Sequence, residues 1–237
     1  MKKKIGFFIL TLALGAGCQK DPVTRMIDNS YQPVINAAKF PNPTNLTNPY
    51  YLLEVGKVYH LEGQTADGFE VVEEQRSTET KIILGITCVV GKFVAKVDNV
   101  IIEQADDWYA QDIDGNLWYF GEYVNNYSLS GVLENHNGSW EAGVDGAKPG
   151  IAMPANPTLG MKYREEYYFN NAEDEAEITA VNLDVTTPFG HFTNCIETKN
   201  YTALEPTQIE HKIYAPGVGL IKEIEPDNAE ILLTSIH

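Results

Sequence analysis

From Tyr50 onward the chain is a series of short runs rich in Val, Ile, Tyr, Phe and Thr, separated by Gly, Asn, Asp and Pro. Such runs are typical of β-strands, and the residues between them are typical of turns. About thirteen strands are predicted, at 51–61, 68–76, 80–90, 92–97, 100–110, 117–124, 127–134, 162–169, 175–183, 192–202, 208–214, 218–225 and 230–235. Short connections make consecutive strands antiparallel neighbours. The sequence therefore predicts an all-β fold with little helix, in which an antiparallel, strongly curved sheet forms a partly open barrel or a sandwich.

Two stretches give more local predictions. Residues 80–90 should form one central strand, because Ile82, Ile86 and Val90 share a face at period 2 while the other face is also partly apolar. The sequence Val97-Asp98-Asn99-Val100 predicts a two-residue turn between two strands.

The N-terminus is typical of an export signal, because three lysines precede the apolar run 5–14 and small residues follow it. That run is about half of the roughly 20 apolar residues that a membrane-spanning helix needs. The residues Leu14-Gly15-Ala16-Gly17-Cys18 resemble the lipobox of bacterial lipoproteins, although Leu14 stands one place earlier than is usual. The resemblance implies a signal peptide at 1–17 and a Cys18 that is acylated with fatty acids such as palmitate. Plain secretion is the alternative.

The residues that follow, Cys18-Gln19-Lys20-Asp21, resemble the acidic export tag of Bacteroidetes surface lipoproteins. This resemblance implies an extracytoplasmic protein that is lipid-anchored at the outer membrane or cell surface. Residues 18–49 are rich in Pro, Asn and Thr and are predicted to be a flexible tether. Residues 50–237 are predicted to be a single β domain.

Charge limits the possible partners. The chain has 17 Lys and Arg residues against 33 Asp and Glu residues, a net charge of −16. Such a surface repels phosphate backbones and favours cations or neutral ligands, so no nucleic-acid partner is expected. The expected partners are the membrane, through the lipid anchor, and a small molecule or an envelope protein. We expect a monomer.

Two cysteines remain after Cys18. Cys88 and Cys195 both lie in predicted strands and outside the cytosol, where a disulfide can persist. A bridge would close a long loop and stabilise the fold by on the order of 4 to 5 kcal/mol. The alternative is two buried thiols that pack as small hydrophobic side chains.

The stretch from Asp107 to Glu122 predicts a hairpin, because Asp114-Gly115 suits a two-residue turn. Counting outward from that turn pairs Gln111 with Trp118, Tyr109 with Phe120 and Asp107 with Glu122. Two carboxylates about 5 Å apart repel each other. The pair therefore implies a bound cation, a basic partner or a raised pKa. A three-residue loop would instead place Glu122 opposite Trp108.

A second hairpin is predicted at Ala215-Pro216-Gly217-Val218, which suits a type II turn. Counting back pairs His211 with Lys222. It places His211 on the apolar face of its strand and Glu210 on the opposite face. A histidine in this position is either a hydrogen-bonded core residue or a group that lines a cavity and titrates near neutrality.

Two further segments carry candidate residues. Residues 139–150 form a Gly-rich connection with Trp140 and Glu141, which either bind a ligand or plug one end of the barrel. The acidic group Glu173-Asp174-Glu175 with Glu177 is interpreted as a solvated face.

Several strings resemble those of an uncharacterised bacterial family of exported lipoproteins and secreted proteins. They are DWYAQD (107–112), WYFGE (118–122), SWEAGVDGAKPG (139–150) and EHKIYAPGVGLIKE (210–223). The resemblance spans about residues 50–225 and implies one domain with an antiparallel sheet. It implies no particular activity, but it groups the candidate residues into one expected site.

Three functions follow as hypotheses. The first is a binding module for a small neutral or apolar ligand or an envelope partner, held by Asp107, Trp108, Tyr109, Trp118, Glu122, Trp140, Glu141, Glu210 and His211. The second is a metal-assisted or acid/base hydrolase that uses Asp107, Glu122, Glu141 and Glu210 with His211 as base. The third is a structural envelope lipoprotein. No hydrolase, zinc or phosphate-binding motif is present, so no cofactor and no metal are predicted.

Overall fold

The computed structural model describes residues 25–52 and 54–237. It confirms the all-β prediction, and a 3₁₀ turn at Ala37–Lys39 is the single helical element in the described part. The strands are β1 (Val58–Gln64), β2 (Phe69–Ile83), β3 (Ile86–Val97), β4 (Val100–Gln111), β5 (Leu117–Tyr127), β6 (Leu133–Asn135), β7 (Trp140–Glu141), β8 (Lys148–Met153), β9 (Lys162–Arg164), β10 (Glu166–Tyr167), β11 (Asp174–Thr186), β12 (His191–Thr202), β13 (Ile209–Ala215), β14 (Gly219–Ile224) and β15 (Glu230–Ile236). Across the described residues no helix is long and apolar enough to span a membrane. The signal peptide and Cys18 lie outside the described residues.

All the strands belong to one antiparallel sheet, in the order β10-β8-β5-β4-β3-β2-β1-β15-β14-β13-β12-β11-β9, with β6 and β7 also paired to β5. Strands β9 and β10 are consecutive in the chain, and they sit at opposite ends of this order. Residues 162–167 therefore join the two ends, because β9 pairs with β11 and β10 pairs with β8. The result is a nearly closed barrel, and we call residues 162–167 the seam.

The turn chemistry decides most of the hairpins. The predicted turn at Asp98-Asn99 is confirmed, since Val97 pairs with Val100 and both turn residues have positive φ. The prediction of one strand over 80–90 was wrong. Leu84 and Gly85 form a tight turn with φ of 49° and 80°, and they separate β2 from β3. The sequence did not reveal this turn, because Leu84 and Gly85 stand between apolar residues and the stretch is typical of one continuous strand.

The hairpin of β4 and β5 carries a β-bulge. Near the turn Gln111 pairs with Leu117, and Tyr109 pairs with Tyr119, so the register predicted there was off by one residue. Between Tyr109 and Asp107 one residue of β4 faces two residues of β5, one of which is Gly121. The bulge restores the predicted pairing of Asp107 with Glu122.

The hairpin of β13 and β14 has the predicted turn with a different register. The Val218 N–H donates to the Ala215 carbonyl at 3.2 Å, and Gly217 has φ of 79°, as a type II turn requires. A register shift after Tyr214 then pairs Lys212 with Glu223 and His211 with Ile224. The predicted pairing of His211 with Lys222 was therefore wrong.

The two described cysteines are free thiols, so the expected disulfide is not formed. Cys88 lies on β3 and Cys195 on β12, and each is fully buried in a different hydrophobic cluster. Burial raises the pKa of the Cys88 thiol to about 12. The structure thus favours the alternative of two buried thiols.

The chain that precedes β1 packs against the barrel. Phe40 is buried and packs edge-on against Trp118 and Phe120. Asn48 is 1% exposed, and its Nδ2 donates to three carbonyl groups, including that of Pro154 at 3.1 Å. The described part of the predicted tether, from residue 25 to residue 49, therefore has fixed contacts with the sheet.

Candidate functional site

A cavity of about 70 Å³ lies inside the barrel, which is room for several water molecules or a small ligand. Its lining combines tyrosine rings and apolar side chains with six carboxyl groups and one ammonium group. The charged residues of the lining are Glu74, Glu165, Glu166, Asp174, Glu210, Lys212 and Glu223. Lys212 is the only basic residue among those of the described chain that line the cavity.

Strand alternation explains why these charges point inward. Along β13, Glu210, Lys212 and Tyr214 line the cavity, whereas His211 does not. Side chains also alternate along β2. Glu74 points toward the cavity, whereas Glu73 points outward and contacts Lys96 at 2.8 Å. The sheet therefore carries charge on its inner face as well as on its outer face.

Lys212 lies between two acids. Its Nζ is 3.0 Å from Glu223 Oε1 and 3.8 Å from Glu210 Oε2, and its side chain is 13% exposed. Burial by itself lowers the pKa of Lys212, but the charges of Glu223 and Glu210 outweigh burial and hold the pKa well above its usual value. Lys212 is therefore a fixed ammonium group in the barrel.

A second group of acids stands on and beside the seam. Glu165 accepts a hydrogen bond from Asn200 Nδ2 at 2.8 Å, and its backbone N–H donates to the Asp174 carbonyl at 2.8 Å. Asp174 Oδ1 is buried and has no hydrogen-bond partner in the described part of the chain. An unsatisfied carboxyl oxygen at the wall of a cavity is a ready acceptor for a ligand.

The pKa values of these acids reflect their surroundings. Burial raises the pKa of Glu74 and of Glu210 to about 7, and that of Glu166 to about 8. Burial also raises the pKa of Glu165, and it raises that of Asp174 well above its usual range. Neighbouring carboxylates add to the effect at Glu166 and Asp174. Near neutral pH the cavity therefore holds protons that a bound cation could replace.

Tyrosines form the other wall. The Tyr109 and Tyr119 rings stack with centroids 5.0 Å apart, and the Tyr51 hydroxyl donates to the Tyr109 hydroxyl at 3.0 Å. The Tyr51 ring also lies 6.4 Å from that of Tyr214. All four of these rings line the cavity, which gives it polarisable, electron-rich faces.

The predicted acid pair lies behind this tyrosine wall. Asp107 accepts a hydrogen bond from the Tyr119 hydroxyl at 2.8 Å, and Asp107 and Glu122 are each 5% exposed. Burial raises the pKa of Asp107 to about 7 and that of Glu122 well above its usual range. Neither residue lines the cavity. Burial, together with neighbouring carboxylates, favours the protonated forms of both acids.

The structure separates the predicted site residues into two sets. Tyr109 and Glu210 line the cavity, and Trp140 packs edge-on against Tyr119 at 5.4 Å, close to Asp107 and Glu122. The other candidates, which are Trp108, Trp118, Glu141 and His211, do not line the cavity.

Contacts outside the cavity account for this second set. Lys81 Nζ lies 3.3 Å from the centroid of the Trp108 ring and 2.7 Å from Glu141 Oε2. Trp118 Nε1 donates to Asp112 Oδ2 at 2.9 Å. His211 Nδ1 lies 3.0 Å from Glu197 Oε1. Each of these side chains already has a partner within the chain.

Sequence reasoning missed Glu74, Glu165, Glu166, Lys212 and Glu223, and it interpreted Asp174 as part of a solvated face. The usable signal was the presence of acids on both faces of a single strand, as in Glu70-Val71-Val72-Glu73-Glu74. Acids occur at both odd and even positions of the strand, which point to opposite faces of the sheet. One of these charged faces must therefore point into the barrel. The choice of face depends on the bulges, which the sequence does not mark.

No family model and no curated protein matches this chain. Among solved structures it is similar to a protein of Bacteroides fragilis that is described as exported and as having a YmcC-like fold. That likeness has 14% identity and a TM-score of 0.46, and it covers 81% of this chain and 100% of the other. The chain is also similar to a protein of Parabacteroides distasonis that is described as a lipoprotein, with 14% identity, a TM-score of 0.42 and coverage of 79% and 97%.

Proposed function

We propose that this chain is a lipid-anchored extracytoplasmic binding protein whose barrel cavity takes a small organic cation. The observation that carries the proposal is the charge of the lining, where six carboxyl groups face the single ammonium group of Lys212. Buried carboxylates are stable only when they are paired or protonated. A cationic ligand supplies the charge that Lys212 alone does not supply.

The other lining residues favour an organic cation over a metal ion. The stacked Tyr109 and Tyr119 rings offer aromatic faces, which attract ammonium and guanidinium groups. Among the described residues, no group of three or more His, Cys, Asp and Glu side chains is placed to hold a metal ion. An alkylammonium group would use Asp174 Oδ1 as an acceptor and the tyrosine rings as walls.

The lipid anchor is supported by the N-terminal sequence, in which Cys18 follows an export signal.

The hydrolase hypothesis gains less support, because Glu210 is the one predicted catalytic acid that lines the cavity. His211, the predicted base, is directed to Glu197. We therefore propose binding and no second function.

The test uses the purified full-length protein and two probes of similar size, 1,4-diaminobutane and the neutral 1,4-butanediol. At pH 8 the diamine should raise the melting temperature by mass action, with a rise that grows with the logarithm of its concentration above the dissociation constant, and the diol should not. At pH 5.5 the apparent affinity for the diamine should be at least about tenfold lower than at pH 8, because the cavity acids are then protonated. Equal effects of diamine and diol would contradict the proposal.

Asp174→Asn should weaken diamine binding by about tenfold or more, since it removes a buried acceptor charge. Glu177→Gln is the matched control, because Glu177 lies on the same strand, does not line the cavity and pairs with Lys162 at 3.2 Å. The control should leave the affinity unchanged. If the two variants lose affinity equally, the cavity is not the binding site.

A further inference from the structure

Three exposed apolar side chains lie in the first described residues. Met26 is 85% exposed, Ile27 is 55% exposed and Val34 is 85% exposed. We call residues 25–34 the strap. Exposed apolar residues also occur elsewhere, as at Val132 and Leu133. The strap differs from them because it is close in sequence to the proposed lipid attachment point, and exposed apolar groups mark interaction sites when a partner surface is within reach.

The strap is fixed to the seam and does not hang freely from the domain. Arg164 Nη2 lies 3.1 Å from Asp28 Oδ2, and its guanidinium carbon lies 5.5 Å from the Tyr31 ring centroid. The Tyr31 hydroxyl donates to the Pro149 carbonyl at 2.8 Å, and Lys148 Nζ donates to the Tyr31 carbonyl at 2.7 Å. Tyr31 is thus held by Arg164 of the seam and by Lys148 and Pro149 of β8, and Met26 and Ile27 project from this fixed base.

We propose that the strap is the face on which the domain rests on the lipid surface, with Met26 and Ile27 entering the interfacial layer. The inference rests on the lipid anchor of the proposed function. Six residues separate Cys18 from Arg25, so seven backbone steps place Arg25 within about 25 Å of the acylated cysteine even in a fully extended chain. The anchor therefore delivers the exposed apolar pair to the membrane.

Charge is consistent with this orientation. The chain has a net charge of −16, but the charges near the strap are mixed in sign. Arg25 pairs with Glu173, Arg164 of the seam pairs with Asp28 and Glu175, and Lys148 lies on the neighbouring strand β8. Basic residues beside an apolar group are typical of segments that lie in the interface of a membrane. This side of the barrel therefore meets a lipid surface with less repulsion than the acidic remainder of the molecule.

The experiment uses the lipidated full-length protein in vesicles of phosphatidylethanolamine and phosphatidylglycerol. Met26→Cys is labelled with an environment-sensitive fluorophore, while Cys88 and Cys195 are buried and compete little for the label. Phe69→Cys is the matched control, because Phe69 is also apolar and 43% exposed but stands on β2, several strands away from the seam. Fluorescence at position 26 should rise about threefold on incorporation and be quenched by brominated lipids, and position 69 should respond to neither.

A second variant separates docking from mere tethering. It carries about fifteen Gly and Ser residues inserted after Asp21, which lengthens the reach of the tether well beyond the size of the strap. If the strap docks, the signal at position 26 persists with the long tether. Loss of the signal with the long tether, or equal signals at positions 26 and 69, overturns the docking face alone. If the unlabelled protein does not float with vesicles, both the anchor and the docking face are overturned. The proposed cation site is unaffected by this result, because diamine binding tests it separately.

Discussion

At the scale of single residues, Lys212 is the one described basic side chain that compensates the charge of the acids lining the cavity. Its side chain is 13% exposed and contacts Glu223 and Glu210, while four further carboxyl groups share the same cavity. A buried ion pair is weak evidence for stability, but removing one partner leaves the other charge buried and uncompensated. The position is therefore sensitive to substitution even though the lysine is not a hydrophobic core residue.

We expect Lys212→Met to lower the free energy of unfolding by about 3 kcal/mol at pH 8, because Glu210 and Glu223 lose their counter-charge. At pH 5 the loss should be smaller, because protonation of Glu210 removes much of the repulsion. Urea denaturation at the two pH values measures both numbers. Lys222→Met is the control: Lys222 pairs with Glu230 on the outer face, and its loss should cost less than about 1 kcal/mol. A pH-independent loss at Lys212 would contradict this account.

At the scale of strands and hairpins, the bulges decide which side chains face the cavity. The sequence predicted the existence of most strands, the turn at Asp98-Asn99 and the turn at Pro216-Gly217, because each depends on local residue chemistry. It did not predict the registers near the turns of β4–β5 and β13–β14. A shift of one residue moves every side chain of a strand to the other face, so a single unrecognised bulge changes the composition of a predicted site.

The Gly121 bulge is open to a direct test. Gly121 has φ of 136°, and a Cβ there would lie 2.3 Å from the Trp140 carbonyl oxygen. Gly121→Ala should therefore lower the free energy of unfolding by roughly 2 kcal/mol or more. Gly190→Ala is the control, since its nearest contact would be 3.8 Å away. Chemical denaturation compares the two variants, and a Gly121 variant as stable as the Gly190 variant would show that the bulge tolerates a side chain.

The candidate site was less predictable than the fold for a related reason. Asp107 and Glu122 were paired correctly, because the bulge happens to cancel the error made at the turn. His211 and Trp118 were assigned to the site, although their partners Glu197 and Asp112 hold them elsewhere. Such partners come from distant parts of the chain or from loop geometry, and period-2 reasoning along one strand does not reveal them.

At the scale of the whole molecule, the inner acids make folding depend on pH. Burial raises the pKa of Glu74 and Glu210 to about 7, and that of Glu70 and Glu225 to about 9. An acid whose pKa is higher in the folded state binds more protons when folded than when unfolded. Stability then falls as the pH rises from the unfolded pKa, about 4.5, through the folded pKa.

We therefore expect the free energy of unfolding to decrease between about pH 5 and pH 9, with each such group contributing a slope of up to about −1.4 kcal/mol per pH unit inside its own window. Urea denaturation in a constant-ionic-strength buffer series measures the profile. A saturating diamine should reduce the part of the slope that comes from Glu74 and Glu210, which line the cavity, because a bound cation stabilises their ionised forms. A profile that is level or that rises over this range would show that the inner acids are already compensated.

The seam links the closure of the barrel to the acids that line its cavity. Glu165 and Glu166 are both cavity walls and parts of the short segment that completes the sheet, and that segment passes so close to Gly150 that a Cβ there would meet the Glu165 backbone at 2.4 Å. A bound cation that contacts these acids and Glu210, which lies on β13, would connect the seam to the neighbouring strands. Ligand binding in the cavity and closure of the sheet would then favour each other, because Glu165 and Glu166 take part in both.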